Sequence, residues 1–304
     1  MTMCIVLGKY FEGIGWVGVK NRDRNYIPTV SFKNKSLKDG LEMMYYEDND
    51  TKYCEGINSQ GVGILGASLM VQDDEMEIKS RTKIGTENSG TKIKHGLSQS
   101  SAKDAVKVLI DKKLTGNTLI FDQEDMYILE GAWRPGEYKT KGYAYKVEHV
   151  PHSQVIARTN HGVLLPWTGY QETGEKKQDL KRISSDSRLL VANFVGEQSE
   201  EPQEMIDGLT MKFSDNPQLN GFRTGTQATK MRTTSQIMII PSEKTMYFRP
   251  VQSNINFDFW KLNHPDQQTW IEIMSNRPAY QHLIDHSPES KAAPVLKNLA
   301  NKSK

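Results

Sequence analysis

Short runs of β-branched, aromatic and aliphatic residues, broken by Gly, Ser, Asn and Pro, recur along this chain. That rhythm predicts strands more than helices. The runs fall at residues 4–8, 15–20, 29–32, 42–47, 53–58 and 62–69, and Gly61 and Gly63 suit a tight connection between the last two. A different period follows. Ala102, Ala105, Val106, Leu109 and Ile110 form an apolar stripe at helical spacing, and Ser101 is placed to cap it, so a helix is predicted over about residues 101–113. Strands return at 117–121, 126–130, 144–149 and 154–158. The polar stretch 168–181 reads as a loop, followed by a helix over 185–196. A further helix is predicted over 202–211, where Pro202 and the acids Glu200 and Glu201 fit a helix start. Residues 236–240 and 245–250 read as a hairpin. The order of strands, helices and strands predicts one layered α+β domain over residues 1–286, with residues 287–304 as a loosely held tail.

Composition narrows the function classes. Charged residues make up 25% and the formal balance is +2, so no strong pull toward nucleic acid or anionic lipid is expected. Lys and Arg form no basic stripe interleaved with aromatics. No uninterrupted apolar run approaches the ~18 residues of a membrane span, and the start lacks a secretory pattern. Two cysteines, Cys4 and Cys54, are too few for a disulfide scaffold and fit a reduced, cytoplasmic setting. The seven histidines form neither a helical pair nor a Cys/His cluster, so no metal or other cofactor is expected. Gly13, Gly15 and Gly18 precede Lys20 on a predicted strand, which is the wrong context for a phosphate loop. The acidic groups Glu47, Asp48, Asp50 and Asp73, Asp74, Glu75 read as solvated turns.

Position alone leaves two readings for Cys4. Cysteine is among the most often buried residue types, so Cys4 fits a packed first strand. A thiol this close to the start can also become the terminal residue, with its own α-amine beside its sulfur. Such an amine, titrating near ~7.7–8.0, takes the proton of a thiol near ~8.5 and later delivers it to a leaving amine. Exposing Cys4 requires either translation from Met3 followed by methionine removal or cleavage of the Met3–Cys4 bond.

Further motifs accompany Cys4. They are Lys20-Asn21-Arg22-Asp23, the stretch from Gly56 and Asn58 through Gly61-Val62-Gly63 to Ser68, Arg158-Thr159-Asn160-His161, and Ser184-Ser185-Asp186-Ser187-Arg188-Leu189, with a weaker one at Met231-Arg232-Thr233-Thr234-Ser235-Gln236. In order and spacing the set resembles the choloylglycine hydrolase family of linear-amide hydrolases. That family includes bile salt hydrolases and penicillin V acylases, and related acyltransferases act on penicillin precursors. The likeness consists of short motifs between Cys4 and about Pro250, not continuous identity.

The resemblance implies an N-terminal nucleophile hydrolase, a four-layer αββα sandwich that works without a cofactor. It implies Cys4 as nucleophile and Asp23 as the group that binds its amine. Lys20 replaces the family's arginine near the nucleophile and lacks the planar fork of that residue. Ser68 stands where bile salt hydrolases carry an asparagine, and is expected to give a backbone N–H to the oxyanion. Asn160 is the implied side-chain donor, a neutral amide suited to developing negative charge. His161 is implied as a neighbour in the pocket wall, and Arg188, in the first turn of its helix, as a cation directed into the site. The expected reaction cleaves the linear carbon–nitrogen amide bond of a small N-acyl substrate through a thioester. Alternatives are acyl transfer to another amine, an inactive relative that only binds, and a maturation-protease-like factor acting on peptides. The expected partner is the small-molecule N-acyl amide, with neither nucleic acid nor membrane; a homo-oligomer stays open.

Overall fold

The computed structural model describes residues 2–26, 28–37, 39–69, 87–134, 142–216, 218–223 and 231–250. The tail expected at 287–304 and the acidic group Asp73, Asp74, Glu75 lie outside these residues. Along the chain come β1 (Thr2–Phe11), β2 (Gly15–Arg24), β3 (Val30–Ser36), β4 (Glu42–Asp48), β5 (Cys54–Asn58) and β6 (Gly63–Ala67). Then follow α1 (Ser89–Leu97), α2 (Ala102–Asp111), β7 (Gly116–Phe121), β8 (Met126–Trp133), β9 (Tyr143–His149) and β10 (Ile156–Arg158). The last elements are α3 (Lys176–Gln198), α4 (Pro202–Gly208), β11 (Arg232–Ile240) and β12 (Thr245–Pro250).

The strands make two antiparallel sheets. One has five strands in the order β10-β1-β2-β11-β12, and the other has seven in chain order from β3 to β9. The β1–β2 hairpin turns at Gly13 and Gly15, whose φ angles of 78° and 95° suit glycine. The glycine-rich stretch is therefore a turn. It sets the register, with Cys4 opposite Arg22 and Val6 opposite Lys20.

Strand alternation assigns each face. On β7, Leu119 and Phe121 join the core shared with β1 and β2, while Ile120 between them joins the core under α1 and α2. On β2, Lys20 and Arg22 reach Glu55 of β5 and Asp48 of β4, whereas Asn21 and Asp23 reach the side of α3 and α4. Helices α1 and α2 pack on strands of the larger sheet, and α3 and α4 pack on strands of the smaller one. Among the described residues no helix is long and apolar enough to cross a membrane.

The predicted strands and the final hairpin appear, and β2 runs past its expected end to Arg24, so the motif at residues 20–23 lies inside a strand. Two helical regions differ from expectation. Helix α1 carries a weak stripe, Ile93 and Leu97, interrupted by Gly90 and Gly96, and is started by the Asn88 side chain accepting from the Thr91 N–H. Helix α3 begins at Lys176, inside the stretch expected as a loop, and not near Ser185. Its polar first turns lie on the outside, with Leu180 and Ile183 exposed. The serines that suggested a helix start turn inward: Ser184 donates to the Gln218 carbonyl, Ser187 to the Leu219 carbonyl and Ser185 to Thr159 Oγ1.

The cap expected on α2 is present, since Ser101 Oγ accepts from the Asp104 N–H at 3.2 Å. Replacing Ser101 by Ala is predicted to lower unfolding free energy by about 1 kcal/mol, measured by urea denaturation.

Candidate active site

Cys4 is 3% exposed and shares its face of the small sheet with Arg22, its cross-strand partner. Its sulfur is met by Arg24, whose Nη1 lies 3.8 Å from Sγ and also donates to the Asp23 carbonyl. Arg22 pairs with Asp48 Oδ2, which accepts from Tyr26 as well and lies 3.8 Å from Arg24 Nε. Asp48 was expected in a solvated turn, but it is buried, and its carboxylate is the counter-charge to Arg22 and Arg24. Burial pushes the Asp48 carboxyl up, yet Arg22 and the N–H groups of Thr51 and Asp50 hold it below the ordinary carboxylate range. Burial lowers Arg24, while Cys4, Tyr46 and Tyr26 raise it, and the net is upward. Two guanidinium groups thus share one carboxylate, and one of them, Arg24, lies against the sulfur.

The nitrogen of Cys4, a peptide N–H in the described chain, donates to Asn160 Oδ1 at 2.7 Å. Asn160 Nδ2 donates to the Ser68 carbonyl at 2.8 Å and to Ser68 Oγ at 3.4 Å. Cys4, Ser68 and Asn160, from three distant parts of the chain, are therefore joined through one carboxamide. Ser68 meets Asn160 through its carbonyl and its hydroxyl oxygen.

Other side chains hold Asn160 in place. Asn117 of β7 donates to the carbonyls of Thr159 and His161, one on each side of it. Ser185 of α3 accepts the Asn160 N–H at 3.1 Å. Glu130 of β8, fully buried, accepts from the N–H groups of Val163, Leu164 and Leu165 and from Arg158 Nε. A carboxylate surrounded by four donors satisfies itself and fastens the turn after Asn160.

Asp23 and Arg188 meet on the other face of the small sheet. Arg188 Nη2 lies 2.6 Å from Asp23 Oδ2, Arg223 Nε lies 3.5 Å from the same oxygen, and Thr233 Oγ1 donates to Oδ1 at 2.9 Å. Arg188 sits in the middle of α3 because the helix starts earlier than expected. Burial and the adjacent Arg188 push Arg223 down, against the pull of Asp23. The partner of the Cys4 nitrogen is Asn160, while Asp23 is held by the two arginines and Thr233.

Lys20 was expected beside the sulfur. In the structure it is paired with Glu55, donates to the Gly66 carbonyl and lies over the Tyr53 ring at 5.2 Å. The cation at the sulfur is Arg24 instead. His161 directs Nδ1 to Ser185 Oγ at 2.9 Å and Nε2 to Asp186 at 3.3 Å, so both ring nitrogens face α3.

Sequence reading missed Arg24, Arg223, Glu55, Glu130 and Asn117, and held Thr233 only within its weakest motif. One signal was available. The Gly13–Gly15 turn fixes a register that puts Lys20, Arg22 and Arg24, at period two, on the face carrying Cys4.

No family model and no curated protein matches the sequence. Among solved structures, the chain is similar to penicillin V acylase from Agrobacterium tumefaciens, with 13% identity over 82% of this chain and 83% of that one and a TM-score of 0.45. It is also similar to a mutant conjugated bile acid hydrolase from Clostridium perfringens, with 11% identity over 84% of this chain and 91% of that one and a TM-score of 0.47. Neither likeness transfers a residue role or a substrate to this chain.

Burial, with Arg182 and Arg158, pushes His161 down to about 4, against the pull of Asp186. The unfolded chain takes up this proton near the ordinary value of 6.5 and the folded one does so only near 4, so the stability present above pH 6.5 is lost as pH falls toward 4. His161→Gln is predicted to show a smaller fall in Tm than the unsubstituted protein between those two pH values, measured by thermal melts.

Proposed function

We propose that this chain is an N-terminal nucleophile amidohydrolase that cleaves the linear carbon–nitrogen amide bond of a small N-acyl substrate. Its two sheets are the inner layers of an αββα sandwich, and it works in the cytoplasm. The observation that supports this reading most directly is the Asn160 carboxamide spanning the Cys4 nitrogen and the Ser68 carbonyl. A nucleophile, its nitrogen and an amide donor then lie within one hydrogen-bonded group. The motif resemblance supports the same reading.

In this mechanism Cys4 becomes the first residue. Asp23 stands across the β-ladder from Met3, so loss of Met3 opens the position facing that carboxylate. The freed amine keeps its bond to Asn160 Oδ1 and takes the thiol proton, and Arg24 stabilises the thiolate beside it. Sulfur attacks the substrate carbonyl. The resulting oxyanion takes the Asn160 N–H now shared with Ser68 Oγ, the longer and weaker of its two bonds. The terminal ammonium protonates the departing amine, leaving a thioester. Water then attacks, gives a proton to the amine, and releases the acid, and that proton returns to the thiol. An acceptor amine in place of water makes the same intermediate an acyl donor.

Incubation with an N-acyl amide or β-lactam such as penicillin V is predicted to give an acyl adduct on Cys4, read by intact-protein and peptide mass spectrometry. The adduct is lost in Cys4→Ala. The same spectra read the terminus: an acylated or turning-over protein that still carries Met3 overturns the terminal-amine route. Asn160→Ala is predicted to lower kcat/KM by about 10²–10³, equivalent to about 2.7–4 kcal/mol of barrier, with Cys4 still open to alkylation.

A further inference from the structure

We infer that Lys20 and Glu55 are positioning residues for the Ser68 wall of the site, acting through Gly66 and not through the Cys4 sulfur. The inference rests on the amidohydrolase reading for its kinetic consequence, though not for its geometry.

Strands β5 and β6 pair at Ile57–Gly63 and Gly56–Ile64, at the start of β6. β6 continues to Ala67 on its other side, paired with β7. In a strand, the N–H and C=O of one residue point the same way. Those of Gly66 are satisfied by side chains. Its N–H donates to Glu55 Oε1 at 2.7 Å, and its carbonyl accepts from Lys20 Nζ at 2.5 Å. Lys20 and Glu55 also pair with each other, which closes a ring around one residue's backbone.

The ring is buried and braced. Lys20, Glu55 and Tyr46 are each 0% exposed. Tyr46 Oη donates to Glu55 Oε2 at 2.6 Å and Tyr53 Oη to Oε1 at 3.2 Å. A Cβ on Gly66 would stand 2.5 Å from Tyr53 Oη, so the phenol occupies the space that any side chain there would need. A buried ion pair is weak evidence of stabilisation, because desolvation opposes the attraction. This pair has a directional use, since it holds two peptide groups that the sheet leaves unpaired.

Two residues beyond Gly66, Ser68 receives both bonds from Asn160 Nδ2, and Asn160 Oδ1 receives the Cys4 N–H. The ring thus sets the end of β6, the end of β6 sets the rotation of the Asn160 carboxamide, and that rotation aims both its donor and its acceptor. The sulfur has its own cation in Arg24.

The test uses Lys20→Met/Glu55→Gln, which removes both charges together and strands neither. Its kcat for an N-acyl amide is expected to fall at least tenfold with KM changed less than threefold. The rate of Cys4 alkylation by iodoacetamide at pH 7.5 is expected to stay within twofold, whereas Arg24→Met slows it at least fivefold. A second pair alters no charge: Gly66→Ala should lose kcat similarly, and Tyr53→Phe/Gly66→Ala should recover most of it. Alkylation slowed in the double variant as much as in Arg24→Met overturns the inference, as does unchanged kcat or failure of Tyr53→Phe to relieve Gly66→Ala. Absence of turnover and of a Cys4 adduct in the unsubstituted protein counts against the hydrolase reading instead. In that event hydrogen exchange over residues 63–68 decides the positional claim: faster exchange in the double variant supports it and unchanged exchange overturns it.

Discussion

The carboxamide of Asn160 is the constraint around which the rest of the site is arranged. An amide has a donor end and an acceptor end, and here each has a partner of the opposite kind, the Cys4 N–H and the Ser68 carbonyl. Turning the group over would set oxygen against oxygen and nitrogen against nitrogen, so its orientation is fixed by its neighbours. Cys4 belongs to the five-stranded sheet and Ser68 follows a strand of the seven-stranded one, so this contact also ties the two sheets together at the site. Errors in sheet spacing would reach Cys4 as a misdirected amide.

The charges follow the alternation of a single strand. On β2, Lys20, Arg22 and Arg24 address the space between the sheets, and Asp23 addresses the helices. The cation beside the sulfur and the carboxylate near the start of β1 are thereby kept on opposite faces, with a layer of backbone between them. Each would otherwise neutralise the other. Asp48 and Glu55 on one side, and Arg188 with Arg223 on the other, supply the counter-charges that burial demands.

Much of the fold was legible because its strands are short, apolar and punctuated. The Gly61–Gly63 connection, the α2 stripe with its Ser101 cap and the last hairpin all rest on local chemistry. The start of α3 was not legible, because its first turns are polar on an exposed face and its serines look inward for tertiary partners. Cys4, Asn160 and Ser68 could be picked out as members of motifs, but not the manner of their contact. The roles of Arg24, Glu55 and Glu130 depend on burial, and a charged residue in a strand carries no local sign of whether a second sheet will cover it.

Glu130 has a consequence for motion. It gathers three successive peptide N–H groups and a guanidinium away from solvent. Lifting the turn at 163–165 would leave a naked anion in a dry interior and break all those bonds together, an opening far costlier than ordinary loop breathing. The ground beneath Asn160 is therefore firmly held. Any widening of the candidate site is borne by other parts of its rim.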